Sequence, residues 1–139
     1  MFPYVLRYIP AEDITLFQRI KDGLNKIPDD PDLGVSDDGD RVVVSCHMLA
    51  RAVGMVFKLH HCDGYYCGNF EHSWIMTPSE NIIDVYPIAV IGGPILHCNG
   101  FIGCPARLLY TPKRISRGRF NTSLFRRSVH IVADALSKP

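Results

Sequence analysis

The feature that most restricts the fold is a change of apolar period inside one stretch, residues 42–86. Met48, Leu49, Ala52, Val53 and Val56 fall at i, i+1, i+4, i+5 and i+8, the spacing of a helix that buries one stripe. Farther on, Phe70, His72, Trp74 and Met76 alternate along one run, and Ile82, Asp84 and Tyr86 along the next, as residues on one face of a strand do. A helix followed by two alternating runs predicts an α+β fold in which the helix packs on an antiparallel sheet. Between helix and hairpin, residues 57–62 read as a strand that breaks at Asp63 and Gly64, and residues 65–69 lead into the next strand.

Chemistry enters with the connection between the two alternating runs. Side chains change face at every residue, so His72 and Asp84 can be neighbours only if the hairpin connection has an odd number of residues, either 77–79 or 77–81. The shorter version sets His72 directly opposite Asp84, and a four-residue connection sends them to opposite faces. Upstream, Ser45 can cap the helix, which places Cys46 in the first turn. There, unpaired N–H groups and the positive end of the helix dipole favour thiolate over thiol. By itself Cys46 reads as a small buried thiol. With a histidine and an aspartate on the following strands, it becomes a nucleophile with a base, His72, and a group that orients the base, Asp84.

Composition narrows the class. A chain of 139 residues predicts one domain, residues 1–139, with a core that needs neither metal nor disulfide. Fifteen basic residues against 14 acidic ones give no global field toward nucleic acid or a membrane surface. No apolar run approaches the roughly 18 to 20 residues that cross a bilayer. Five cysteines, an odd number without scaffold spacing, suggest free thiols in a reducing compartment and hence a cytoplasmic protein.

The flanks are plainer. Residues 5–9 read as a short strand or docked arm, followed by a helix whose Ile14, Phe17, Ile20 and Leu24 form a buried stripe and whose Gln18 faces solvent. Residues 28–40 hold two prolines, two glycines and six aspartates, an exposed connection that could rim a substrate site. Gly92 and Gly93 read as turn residues, 106–110 as a last strand, 112–119 as a basic loop, and 122–136 as a final helix.

The order Cys-x-x-x-Ala-Arg-Ala-Val-Gly on a helix, then Asp-Gly-Tyr, then His-x-Trp, then Ile-Asp-Val-Tyr-Pro, resembles the core of the transglutaminase-like superfamily, part of the papain-like cysteine enzymes. The likeness covers about residues 42–87. It implies a papain-like fold in which Cys46 is the nucleophile, His72 the base and Asp84 its orienting group. The reaction implied is acyl transfer from an amide or peptide through a thioester, ending in hydrolysis or transamidation, with no cofactor and no metal. Members commonly carry a Trp or Gln shortly before the cysteine, whereas residues 42–45 offer only backbone and one hydroxyl. Trp74 and Tyr86 are candidate substrate contacts that read equally as core aromatics. Two other readings stay open. One is a zinc-stabilised binding domain drawing on His60, His61, Cys62, Cys67, His72, His97, Cys98 and Cys104. The other is a catalytically silent domain that binds peptides in the same cleft.

Overall fold

The computed structural model describes residues 9–86, 94–98, 109–115 and 118–139. Among the described residues, three α-helices, α1 (Ala11–Leu24), α2 (Cys46–Phe57) and α3 (Ser123–Leu136), accompany a five-stranded sheet made of β1 (His60–Tyr66), β2 (Phe70–Met76), β3 (Ile82–Asp84), β4 (Ile95–His97) and β5 (Tyr110–Pro112). The strands lie in the order β4-β3-β2-β1-β5, and every neighbouring pair is antiparallel. The architecture is therefore mixed α and β with helix α2 against an antiparallel sheet. No described helix is long and apolar enough to cross a membrane.

Alternation along the strands divides the sheet into two faces with different tasks. Ile75, Ile83 and Val85 point to the side covered by α2 and α3 and join Leu49, Val53 and Val132 in the main core. Trp74, Ile82 and Tyr110 form a second, smaller cluster on the other side, with Cys62, Tyr66 and Met76 packed against it. His72 and Asp84 follow Trp74 and Ile82 by the period of two and belong to this second face. The predicted stripe of α2 buries Met48, Leu49, Ala52 and Val53, while Val56 packs at its margin. In α1, Ile20 and Leu24 are buried and Ile14 and Phe17 are partly so.

The register of the β2–β3 hairpin settles the odd-or-even question. Met76 pairs with Ile82 and Ile75 with Ile83, so the connection is the five-residue one, 77–81. A cross-strand count from these pairs sets Trp74 opposite Asp84 and His72 one diagonal step away on the same face. The loop is closed by the Thr77 N–H donating to the Asn81 carbonyl at 2.8 Å, with Glu80 left-handed at φ 65°. Asp13 of α1, 2% exposed, anchors it from below: Thr77 Oγ1 and Asn81 Nδ2 both donate to Asp13 Oδ2 at 2.8 Å. A carboxylate in the first turn of one helix thus fixes the loop whose length aligns the histidine and aspartate.

Elsewhere the structure revises the sequence-based expectations. Helix α2 runs to Phe57, ends on the left-handed Lys58 at φ 57°, and β1 continues unbroken through Asp63 and Gly64. Asp63 does not turn the chain because Arg51 and Ser73 occupy its carboxylate. Gly64 does not because its lack of a side chain is needed for packing. A Cβ there would lie 2.1 Å from the Thr111 carbonyl and 2.7 Å from the Trp74 ring. The turn falls instead at Cys67 and Gly68, both left-handed at φ 51° and 92°. Residues 28–40 are less open than predicted, since Leu33 is 1% exposed and Val35 bridges Arg41. The final helix agrees with expectation, running Ser123–Leu136 with Thr122 as its cap, and β5 begins at Tyr110, the end of the expected 106–110 strand, of which 106–108 lie outside the described residues. Residues 5–8, Gly92, Gly93 and Cys104 lie outside them as well.

Candidate functional site

Helix α2 opens as its sequence predicts. Ser45 is extended (φ −106°, ψ 163°), and its hydroxyl accepts from the Met48 N–H at 3.3 Å. Cys46 is the first helical residue. The amides of Cys46 and His47 are among the first-turn N–H groups that a helix leaves without an internal acceptor. The thiol is partly buried, which by itself disfavours the thiolate. Hydrogen bonding and charge from His47 and His72 outweigh that penalty and pull the thiol down from 9.0 to about 6.

His72 is held from its far side. Its Nε2 lies 2.8 Å from Asp84 Oδ2, with both side chains largely enclosed. Burial opposes the imidazolium, but the bond and charge of Asp84, followed by those of Cys46, raise His72 to about 9. With Nε2 committed to the carboxylate, Nδ1 is the nitrogen left for the sulfur. Asp84 is in turn fixed by two further donors, the Tyr110 hydroxyl to Oδ2 at 2.6 Å and the Tyr86 N–H to Oδ1 at 3.2 Å. Burial first, then the negative charge of Asp84, push the Tyr110 phenol well above its ordinary value, so it remains a donor.

Aromatic rings wall this arrangement. Trp74 stacks toward His72 at 6.2 Å between centroids, and Tyr110 meets Trp74 edge-on at 5.1 Å. Trp74 is fully enclosed, so it presents no surface to a bound chain, and its Nε1 has no hydrogen-bond partner. Tyr86, the other predicted contact, is 39% exposed and flanks His72 edge-on at 6.5 Å.

A second polar chain reaches the start of α2 from the opposite face of the sheet. His47 Nδ1 lies 2.6 Å from Ser73 Oγ, which donates to Asp63 Oδ1 at 2.5 Å, and Asp63 is clasped by Arg51 through two bonds of 3.1 and 2.8 Å. Burial raises the Asp63 carboxyl, but Arg51 and Ser73 more than compensate and hold it below its ordinary value. Asp63 and Ser73 are direct partners across β1 and β2, and Arg51 stacks over Phe120 at 4.3 Å.

His72 and Asp84 are thus bonded to each other and Cys46 lies close enough to His72 for each to shift the other's titration, whereas Trp74 is withdrawn into the second core. Sequence reasoning missed Tyr110 and His47. The signal for His47 was present, since His47 and Arg51 are one helical turn apart with Asp63 on the next strand. Among the described residues, no group of three or more His, Cys, Asp or Glu side chains is placed to hold a metal ion. The chain matches no family model, no curated protein and no solved structure.

Proposed function

We propose that the chain is a cysteine hydrolase or acyltransferase that acts on an amide or peptide substrate through a thioester on Cys46, in a domain of transglutaminase-like, papain-like type. The observation that carries this reading is the line from sulfur to carboxylate: a first-turn thiol lowered to about 6, an imidazole raised to about 9, and a 2.8 Å bond from that imidazole to Asp84. A thiolate and imidazolium together at neutral pH are the ground state from which acyl transfer starts.

The thiolate attacks the carbonyl carbon, a C–S bond forms, and the carbonyl pair moves to oxygen. The first-turn N–H groups of Cys46 and His47, which a helix leaves without an internal acceptor, are the donors assigned to that oxyanion. Collapse of the adduct breaks the C–N bond, and His72 gives its Nδ1 proton to the departing amine. Water or an amine then attacks the thioester, loses its proton to His72 and frees Cys46 as thiolate. Asp84, steadied by Tyr110, keeps the Nε2 proton in place and offsets the charge on the ring throughout. Tyr86, exposed beside His72, is the aromatic surface available to the substrate.

An activated ester tests this without knowledge of the natural substrate. Incubation with p-nitrophenyl acetate should release a burst of nitrophenolate and leave one acetyl group on Cys46, detected by peptide mass spectrometry. Cys46→Ala should remove both signals with an unchanged circular dichroism spectrum. Acetylation spread over the exposed nucleophiles, unaffected by Cys46→Ala, would contradict the reading.

A further inference from the structure

A cavity of about 390 Å³ opens between α2 and α3, and none of Cys46, His72 and Asp84 lines it. Its walls combine apolar side chains with nitrogen-bearing ones. Phe120, Phe125 and the half-exposed Met55 supply the first kind, and Arg51, Arg126 and His130 the second, while among the described residues no Asp or Glu lines it. Arg126 and His130 lie one turn apart on α3, so both stand on the same flank. Arg126 is exposed and makes no ion pair with any described residue. The volume falls toward the lower end of the roughly 300–1,000 Å³ of small-molecule sites.

Arg51 decides what such a cavity can hold. Its Nη1 donates to the His47 carbonyl and to Asp63 Oδ1, and its Nη2 donates once, to Asp63 Oδ2. A guanidinium carries its N–H groups in a rigid planar fork, so the Nε–H and the outer Nη2–H are left over, parallel to each other along one edge. That edge matches the two oxygens of a carboxylate. Phe120 covers the face of the same guanidinium at 4.3 Å, which holds its plane in position. The Arg51 charge is offset by Asp63, so the arginine charge left in the lining is that of Arg126, a single unit. We propose that this cavity binds a small aromatic monocarboxylate, its carboxylate between Arg51 and Arg126 and its ring against Phe120, Phe125 and Met55. Two phenyl rings and a thioether favour an aromatic body. A dianionic phosphate would bring a charge that has no counterpart, and an uncharged ring would leave the Arg51 edge unmatched.

An amide NMR titration of the full chain tests this with naphthoate as the probe. Naphthoate should bind saturably, with a Kd on the order of 1 mM or below, and should shift the amides of Met55, Phe125, Arg126 and His130. Naphthylmethanol has the rings without the charge, and acetate the charge without the rings. Each should bind about tenfold more weakly or worse, and naphthyl phosphate should bind no more tightly than naphthoate. Arg126→Gln should weaken naphthoate about tenfold, whereas Arg126→Lys, which keeps the charge, should stay within about threefold of the unaltered chain. The Arg126 side chain is exposed and pairs with no described acid, so Arg126→Gln should keep the amide spectrum of a folded chain. No saturable shift at α2 and α3, naphthylmethanol or naphthyl phosphate binding more tightly than naphthoate, or an affinity unchanged in Arg126→Gln would each overturn the proposal. None of these outcomes bears on the acyl-transfer reading, which the labelling of Cys46 tests separately.

Discussion

At the scale of single residues, one carboxylate controls the geometry of the site. Asp84 takes bonds from His72, Tyr110 and the Tyr86 amide, so its orientation is fixed before any substrate arrives. Tyr110→Phe keeps the ring packing and removes one of these donors. It should lower kcat/KM on any substrate about fivefold to tenfold, roughly 1–1.5 kcal/mol, with little loss of fold. An unchanged rate would show that Asp84 needs no help from the phenol. The two titrations set the pH profile. Thiolate is gained as pH rises through about 6, and the imidazolium that protonates the leaving amine is lost as pH rises through about 9. The rate should therefore be bell-shaped with limbs near those values, and a rate still climbing through the alkaline limb would remove His72 as the acid. That Cys46 opens a helix and that His72 and Asp84 share one face of a sheet was legible in the sequence, because each sits on an element with a clear period. Tyr110 was not, since its role depends on a strand pairing, β1 with β5, that no local pattern announces.

At the scale of elements, the decisive feature is the length of one loop. The sequence allowed a three- or a five-residue connection between β2 and β3, and the choice rests on a contact from outside the hairpin. Asp13 bonds Thr77 and Asn81 at both ends of the loop and so stabilises the longer version. From sequence alone an acid in the first turn of α1 is explained by the helix dipole; its burial and its partners 64 and 68 residues away could not be read from spacing. Asp13→Ala removes the buried carboxylate that Thr77 Oγ1 and Asn81 Nδ2 share and should cost about 2–4 kcal/mol in chemical denaturation. Because the loop holds the register of His72 and Asp84, the same variant should also raise the pH midpoint of Cys46 labelling. A stability loss with an unaltered midpoint would separate the loop from the site. The misplaced break at Asp63 and Gly64 has a similar origin, for both are turn-forming residues held in a strand by tertiary partners, Arg51 for one and the β5 backbone for the other.

At the scale of the whole molecule, the sheet works as a partition. One face carries the main core with α2 and α3, and the other carries the aromatic cluster around Trp74 and Tyr110. A polar chain crosses each face, His72 with Asp84 and Tyr110 on one and His47 with Ser73, Asp63 and Arg51 on the other, and both lead to the first turn of α2. The α+β class with a helix on an antiparallel sheet was legible from the change of period along residues 42–86. The two-sided arrangement was not, because it depends on which strand neighbours which. The account stands or falls on the state of one sulfur at neutral pH. The most direct measurement is the pH dependence of iodoacetamide labelling at Cys46 in the unaltered chain, with the exposed Cys67 as internal reference. The account predicts that Cys46 labels with a midpoint near 6 and outpaces Cys67 at pH 7. Equal labelling of the two at every pH would contradict it.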